Sequence, residues 1–453
     1  MNKSIWDQDG GIYCGFACDP ETGIYAKEHR LPYNGDRHVL TFGPNGSGKS
    51  MRLLYENLMT LRHWSMLVID PKGELAELTG AERAKYGKVI YLNPYGARGL
   101  PSNGFNPVAT LNPEDPNLID DAMGLAEAMI RIAPNAQEPH WAESAQDLVC
   151  ALLIYGSLQP PRMIEDLLFG EWEDMRTLAF VRKCLGLPAA EMIDLVTAMR
   201  VTGVERDIEE LSIKAARFID IHPDNRELLS IMSTAATQTR WLDSRPIKAD
   251  TSKGAIDFAA MKREPTTIYL ILPANRLVTQ STWLRLVITC CLQKLIRDAV
   301  PGDVPVMLML DEFATLGHLP MIENTMALMR GYGVKLWSVF QDLAQLKAIY
   351  GERWESFISN AGVVQAFAPQ DTVTAEYLST LSGQTTAITE GSSTSLPTSN
   401  QHGTIGKSQS QIARPVLWPG DLRAMKDGFL VVYTHKVPDV IRAFAPYPSL
   451  PTA

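Results

Sequence analysis

The chain has 453 residues, 45% hydrophobic and 21% charged, with 42 basic and 51 acidic side chains for a formal charge of −9. That balance excludes collagen-like, disordered and coiled-coil classes and argues against a surface wrapped in nucleic acid, though a basic patch or channel lining is compatible with it. Six cysteines in this length make no disulfide framework, nothing at the N-terminus resembles a signal peptide, and no apolar run approaches the ~20 residues needed to cross a bilayer, so a soluble chain in a reducing cytoplasm is expected.

Along the chain, His38–Phe42 reads as a short buried strand, Ser50–Leu61 as a helix, and Ser65–Ile69 and Lys88–Leu92 as further buried strands. Apolar strands separated by a helix predict a parallel sheet covered on both faces. From Pro107 to Leu242 the strand signal disappears. Leu118–Ile132, Glu138–Leu158, Arg162–Leu168, Met175–Cys184, Ala189–Met199, Val204–Ile219 and Glu227–Trp241 instead show apolar spacing near the helical period. This predicts an all-helical insertion large enough to hold its own core. Strands return at Thr267–Leu272, Val304–Leu310, Val334–Val339, Val363–Phe367 and Phe429–Thr434, and complete the sheet. The stretch Gln384–Gln411 is rich in Ser, Thr and Gly without apolar periodicity, which predicts an exposed, mobile loop.

The chemistry is carried first by Gly43-Pro44-Asn45-Gly46-Ser47-Gly48-Lys49-Ser50, a full G-x-x-x-x-G-K-S between a predicted strand and a predicted helix. Glycines let such a loop curl so that backbone N–H groups cradle phosphate oxygens. Lys49 would neutralise the β- and γ-phosphates, the Ser50 hydroxyl would ligate magnesium, and the helix would direct its positive end at the anion. The expected nucleotide-binding set is Gly43, Asn45, Gly46, Ser47, Gly48, Lys49, Ser50 and Met51, with ATP and Mg²⁺ as ligands.

A phosphate loop of this kind requires an acid at the end of another buried strand. Asp311 and Glu312 follow the apolar run from Val306 to Leu310. Asp311 would hold magnesium through water, and Glu312 would orient or deprotonate the attacking water. Two acids capping a helix is the simpler alternative, but beside a phosphate loop the pair favours hydrolysis. Lys49 and Asp311 are 262 positions apart (49 to 311), and the helical insertion accounts for the excess.

Gln341 follows the strand Val334–Val339, where a polar side chain could sense the γ-phosphate; alternatively it starts the helix Asp342–Ala348. Arg330, just before that strand, could reach a nucleotide in a neighbouring subunit and stabilise charge in the transition state, or could form an ordinary surface salt bridge. Asp70-Pro71-Lys72-Gly73-Glu74 closes the second strand, where open α/β folds bind ligands, and reads equally as a turn built on Gly73. Leu381-Ser382-Gly383-Gln384 resembles the signature of ABC transporter ATPases but lies on the wrong side of the acidic strand. Cys14 and Cys18 lack partners at zinc-like spacing, and Cys290-Cys291 falls in an apolar helix.

Together GPNGSGKS, VIDPKGEL, MLMLDEFATLGHLP, MRGYGVKLWSVFQDLAQLK and ISNAGVVQAFAPQDTVTAEYLSTLSGQTT resemble the VirD4/TraG coupling proteins, ATPases of conjugation and type IV secretion, in the same order from His38 to Tyr447. The resemblance implies a RecA-like α/β P-loop domain over 1–107 and 243–453, interrupted by an all-α substrate-recognition domain over 108–242. It implies ATP hydrolysis with Mg²⁺, with Lys49, Asp311, Glu312, Gln341 and Arg330 as the catalytic set and Ser50 and Asp311 on the metal. It implies a homo-oligomer, a hexameric ring around DNA. The expected partners are relaxase-bound DNA, secreted effector proteins and the components of the secretion channel.

Family members usually begin with membrane-spanning helices. The 42 residues before Gly43 contain no such stretch, so the chain is either a piece of a longer protein or a member naturally without an anchor, and the expectation is a chain with no span of its own, cytoplasmic or peripheral at the cytoplasmic face of the inner membrane. Two other readings stay open: a cytoplasmic double-stranded-DNA translocase of the FtsK or HerA kind, and a substrate receptor that nucleotide merely stabilises.

Overall fold

The structure, a computed structural model, describes residues 10–19, 24–132, 138–159, 174–219, 226–297, 304–394, 405–435 and 437–449. The helix expected over Arg162–Leu168 lies outside these residues. The chain divides into two compact units, one of residues 1–57 with 338–453 and one of 58–337. The first begins with β1 (Ile12–Cys18), β2 (Tyr25–Tyr33) and β3 (His38–Phe42). The second holds β4 (Ser65–Ile69), β5 (Lys88–Leu92), β6 (Thr266–Leu270) and β7 (Val306–Leu310), and the chain leaves it within β8 (Val334–Phe340). Returning to the first unit, it forms β9 (Ala361–Phe367), β10 (Gln384–Thr394), β11 (Ile405–Pro415), β12 (Phe429–Thr434) and β13 (Val437–Phe444).

In the first unit the order is β2-β1-β13-β12-β9-β3. β3 and β9 are parallel, with Val39 opposite Val363 and Phe42 opposite Ala366, and both strands are buried throughout. That is the environment in which a near-continuous apolar run is stable as a strand. The other pairings are antiparallel. β1, β2 and β13 are additions to the predicted set. β2 reads YAKEHRLPY and β13 reads VPDVIRAF, so charge and proline interrupt the apolar pattern by which a strand is recognised.

The stretch predicted as a mobile loop is ordered differently. β10 and β11 pair antiparallel in unbroken register from Gln384–Pro415 to Thr394–Ile405. Among the described side chains of this ribbon nearly all are exposed. Alternation in sequence comes from burying one face of a strand, so a ribbon wetted on both faces shows none.

In the second unit β7-β4-β6-β5 form a wholly parallel set. Every residue of β4, β6 and β7 is buried. Arg83, 3% exposed, locks the helix Glu74–Arg83 beneath them. It donates to the Leu61 carbonyl at 2.6 Å, to Thr267 Oγ1 at 2.8 Å and to the Trp64 carbonyl.

Between residues 108 and 242 the described residues hold helices and no strand: Leu118–Met129, His140–Leu158, Leu178–Cys184, Ala189–Glu205, Glu209–Ile219 and Arg226–Thr239. His140–Leu158 is buried over most of its length and packs against Leu118–Met129 and Arg226–Thr239. Glu209–Ile219 buries Leu211, Ala215 and Phe218, the spacing of a one-sided helix. All six cysteines are buried free thiols, Cys290 and Cys291 within the helix Ser281–Arg297.

Candidate nucleotide site

The phosphate-loop motif occupies the turn leaving β3. The Gly43 amide donates to the Phe340 carbonyl at 3.0 Å, which fixes the start of the loop beside the end of β8. Gly46 and Gly48 have φ of 81° and 77°, the left-handed region that glycine enters without steric cost. The Ser47 amide closes the curl on the Pro44 carbonyl at 3.2 Å. At Gly43 an added Cβ would lie 2.9 Å from Ser47 Oγ and 3.4 Å from Lys49 Cδ, so the loop folds tightly over its first glycine. The Lys49 side chain is 7% exposed, and Ser47 Oγ is buried with no hydrogen-bond partner among the described residues. A buried ammonium beside an orphaned hydroxyl fits an anionic, oxygen-rich ligand, and a phosphate chain supplies the missing acceptor.

Ser50 and Met51 open the following helix in a wide, π-type turn, Ser50–Leu54, in which the Tyr55 amide donates to the Ser50 carbonyl. Such turns are rare and concentrate at functional sites. Arg52, on the same turn and beside Gly48, is a residue the sequence analysis did not single out. It is 3% exposed and donates to the Ala445 carbonyl at 2.6 Å and to Asp427 at 2.5 Å. The only signal for it in the sequence was an arginine two positions after the loop serine.

Gln341 lies one residue beyond Phe340, at the strand end that meets Gly43. It does not start the helix. Asp342 does, accepting from the Gln345 amide at 2.8 Å, while the Gln341 amide donates to Gln345 Oε1 at 3.1 Å.

The acidic strand end belongs to the second unit. Asp311 is 5% exposed and accepts from the Glu312 amide at 3.1 Å. Glu312 has φ 54° and ψ 43°, one of three described non-glycine residues in the left-handed region. Strain of this kind costs roughly 1–3 kcal/mol and persists where the surroundings impose it. Here Thr315 imposes it, donating to the Glu312 carbonyl from its amide at 2.9 Å and its hydroxyl at 2.8 Å. Arg330 is exposed on the turn Arg330–Tyr332, after the helix Pro320–Met329.

Asp70 ends β4 next to β7, since Ile69 is in register with Leu310. It is 3% exposed and accepts from the Ala76 amide at 2.8 Å, in the first turn of the helix Glu74–Arg83, and it stands at the carboxyl end of a strand of the parallel set. Arg98 clasps the same turn, donating to the Lys72 carbonyl, Glu74 and Glu77.

Burial pushes the Asp70 carboxyl up to about 6, the nearby Asp311 charge adds to the shift, and the amides of Ala76, Gly73 and Lys72 oppose it. The native state therefore holds this proton more tightly than the unfolded chain, and between about pH 4 and pH 6 the Asp70 contribution to stability falls as pH rises. Asp70→Asn removes that slope. The variant should gain up to about 3 kcal/mol over the parent above pH 6, as read from urea midpoints across pH 4–8. Equal slopes in both proteins would sink the assignment.

Below the acidic loop, Arg285 (2% exposed) donates to the Ala128 and Leu316 carbonyls at 3.2 Å and to the His318 carbonyl at 2.5 Å. It joins the segment after Glu312 to the helix Leu118–Met129.

Residues 2–445 match the family model described as Type IV secretory system Conjugative DNA transfer. The chain is 27% identical over 432 residues to a conjugal transfer protein TraG of Escherichia coli, covering 92% of this chain and 65% of that protein. It is 26% identical over 364 residues to the protein VirD4 of Rhizobium radiobacter, covering 78% of this chain and 49% of the other. The chain thus spans about 65% or less of the length of these relatives. Among solved structures, the plasmid coupling protein TrwB in complex with the GTP analogue GDPNP superposes with a TM-score of 0.66 at 14% identity, covering 92% of this chain and 86% of TrwB. TrwB has also been solved with the ATP analogue ADPNP and with ADP and Mg²⁺. At that identity the likeness is one of fold, an α/β P-loop core of the RecA-like type. With the phosphate-loop motif intact and nearly its whole length matched, the chain belongs to the type IV secretory system conjugative DNA transfer family.

Proposed function

We propose that this chain is the ATP-hydrolysing part of a coupling protein that recruits relaxase-bound DNA or secreted effector proteins and drives them to a type IV secretion channel. The observation that carries the reading is the Gly43–Ser50 loop, with Lys49 buried and Ser47 Oγ unpartnered, in a member of this family. ATP is the proposed substrate and Mg²⁺ the proposed cofactor, in line with the nucleotides held by TrwB. Residues 1–107 and 243–453 would form the ATPase domain and 108–242 the cargo-recognition domain. Assembly as a homo-hexamer at the cytoplasmic face of the inner membrane completes the proposal. Among the described residues no helix is long and apolar enough to cross a membrane.

In this mechanism the amides of Gly46, Gly48 and Lys49 and the Lys49 ammonium bind the phosphate chain and offset its charge. Asn45 and Met51 flank the bound phosphates. Magnesium, when bound, supplies charge neutralisation at the phosphate oxygens, and Ser50 Oγ and Asp311 are the residues that would hold it. Glu312 orients the attacking water and takes its proton, Gln341 senses the γ-phosphate, and Arg330 acts in trans on a neighbour's nucleotide.

The test is ATP turnover of the assembled protein with and without DNA. The expected result is basal turnover that rises several-fold on adding DNA and falls roughly 10³-fold in Arg330→Ala, the scale of an arginine finger. No turnover at all in the assembled protein would favour the receptor reading. Unchanged turnover in Arg330→Ala would sink the finger.

A further inference from the structure

We propose that Tyr447 is a stacking platform for the purine base of a nucleotide seated on the Gly43–Ser50 loop, held in place by Arg52. The inference rests on the reading of that loop as a nucleotide site. The Arg52 guanidinium lies against the Tyr447 ring, 3.7 Å from its centroid, while Tyr447 as a residue is 54% exposed. A pinned cation therefore backs the ring, and about half of the residue's surface stays open to solvent. The pinning comes from the Ala445 carbonyl and Asp427, and Pro446 and Pro448 on either side of Tyr447 restrict its backbone.

The platform also touches the loop itself. A Cβ built on Gly48 would lie 2.6 Å from Arg52 Nε and 2.8 Å from the Tyr447 hydroxyl, so both side chains pack directly against this glycine, whose φ of 77° itself favours glycine. Arg52 Nε is itself buried with no partner among the described residues, a donor left facing the loop. A ring beside the phosphate cradle, rigid, half-exposed and backed by a cation, suits a second aromatic stacked on its exposed surface. Every purine offers an aromatic face, so the platform should accept adenine and guanine alike.

Binding of ATP, GTP and inorganic tripolyphosphate to the full chain at fixed Mg²⁺ tests this by calorimetry. Tyr447→Ala should weaken ATP and GTP by the same factor, about 10-fold for one lost stacking contact, and leave tripolyphosphate unchanged. Tyr447→Trp should keep ATP affinity within about twofold of the parent. If ATP binds Tyr447→Ala as tightly as the parent, or tripolyphosphate weakens as much as ATP, the platform is overturned while the loop reading stands. A parent chain that binds neither ATP nor tripolyphosphate overturns the loop reading and the platform with it.

Discussion

Lys49→Ala is expected to bring ATP turnover down to background, at least 10²- to 10³-fold, and Glu312→Gln to do the same by a different route. Lys49 is 7% exposed as a residue, so its charge is poorly screened by water and acts strongly on an anion bound beside it. Removing it costs binding and catalysis together. Glu312→Gln keeps size and hydrogen bonding but removes the base, so nucleotide affinity should hold while turnover is lost. Measuring both quantities for both variants separates the roles. Wild-type turnover in Glu312→Gln would mean that its left-handed backbone serves only the turn that follows β7.

Arg285→Ala should cost about 3–5 kcal/mol of stability, seen as a lower urea midpoint for the second unit. Arg285 is 2% exposed as a residue, and its guanidinium satisfies carbonyls on two separate segments, Ala128 on one and Leu316 and His318 on the other. Truncation strands those acceptors in the interior, and each unsatisfied group costs about 1–3 kcal/mol. Arg285→Lys should recover little, because one ammonium lacks the planar fork that reaches both segments. A lysine variant as stable as the parent would show that only charge mattered. Because the bonded carbonyls follow Glu312 closely, the same variant should also lower turnover in protein that remains folded, by displacing the acidic loop.

Most of the strands that the sequence made legible are buried throughout, β5 being a partly exposed exception. β3, β4, β6, β7, β8 and β9 are mostly apolar runs such as VMLML, broken only by a few polar residues such as Thr41, Lys335 and Gln365, because both sides of the strand are covered. β2 and β13 carry Lys27, Glu28, Arg30, Asp439 and Arg442 within the strand, and β10 and β11 are solvated ribbons. β13 is held in part by pairing with β1 across the length of the chain, Phe16 opposite Phe444, whereas β2 and the β10–β11 ribbon pair with strands adjacent in sequence, and it is their charged or solvated faces that erase the apolar pattern. The helices of the insertion were legible for the opposite reason, since each must bury one stripe and leave the other wet.

The loop Gly43–Ser50 and the pair Asp311–Glu312 were identifiable from sequence alone, because a backbone that cradles phosphate and an acid at a strand end demand particular residues at fixed local spacing. Arg52, Asp427 and Tyr447 were not. They are brought together by pairing of β3 with β9, β9 with β12 and β12 with β13, across nearly 400 positions of chain (52 to 447). The same holds for Arg285, whose three acceptors lie on segments far apart in sequence, and for Asp70, whose raised carboxyl depends on burial and on a neighbour 241 positions away (70 to 311). Short-range chemistry is written in the order of residues. Burial, pairing and long-range contact are decided only when the chain has folded, since they depend on what each residue ends up beside.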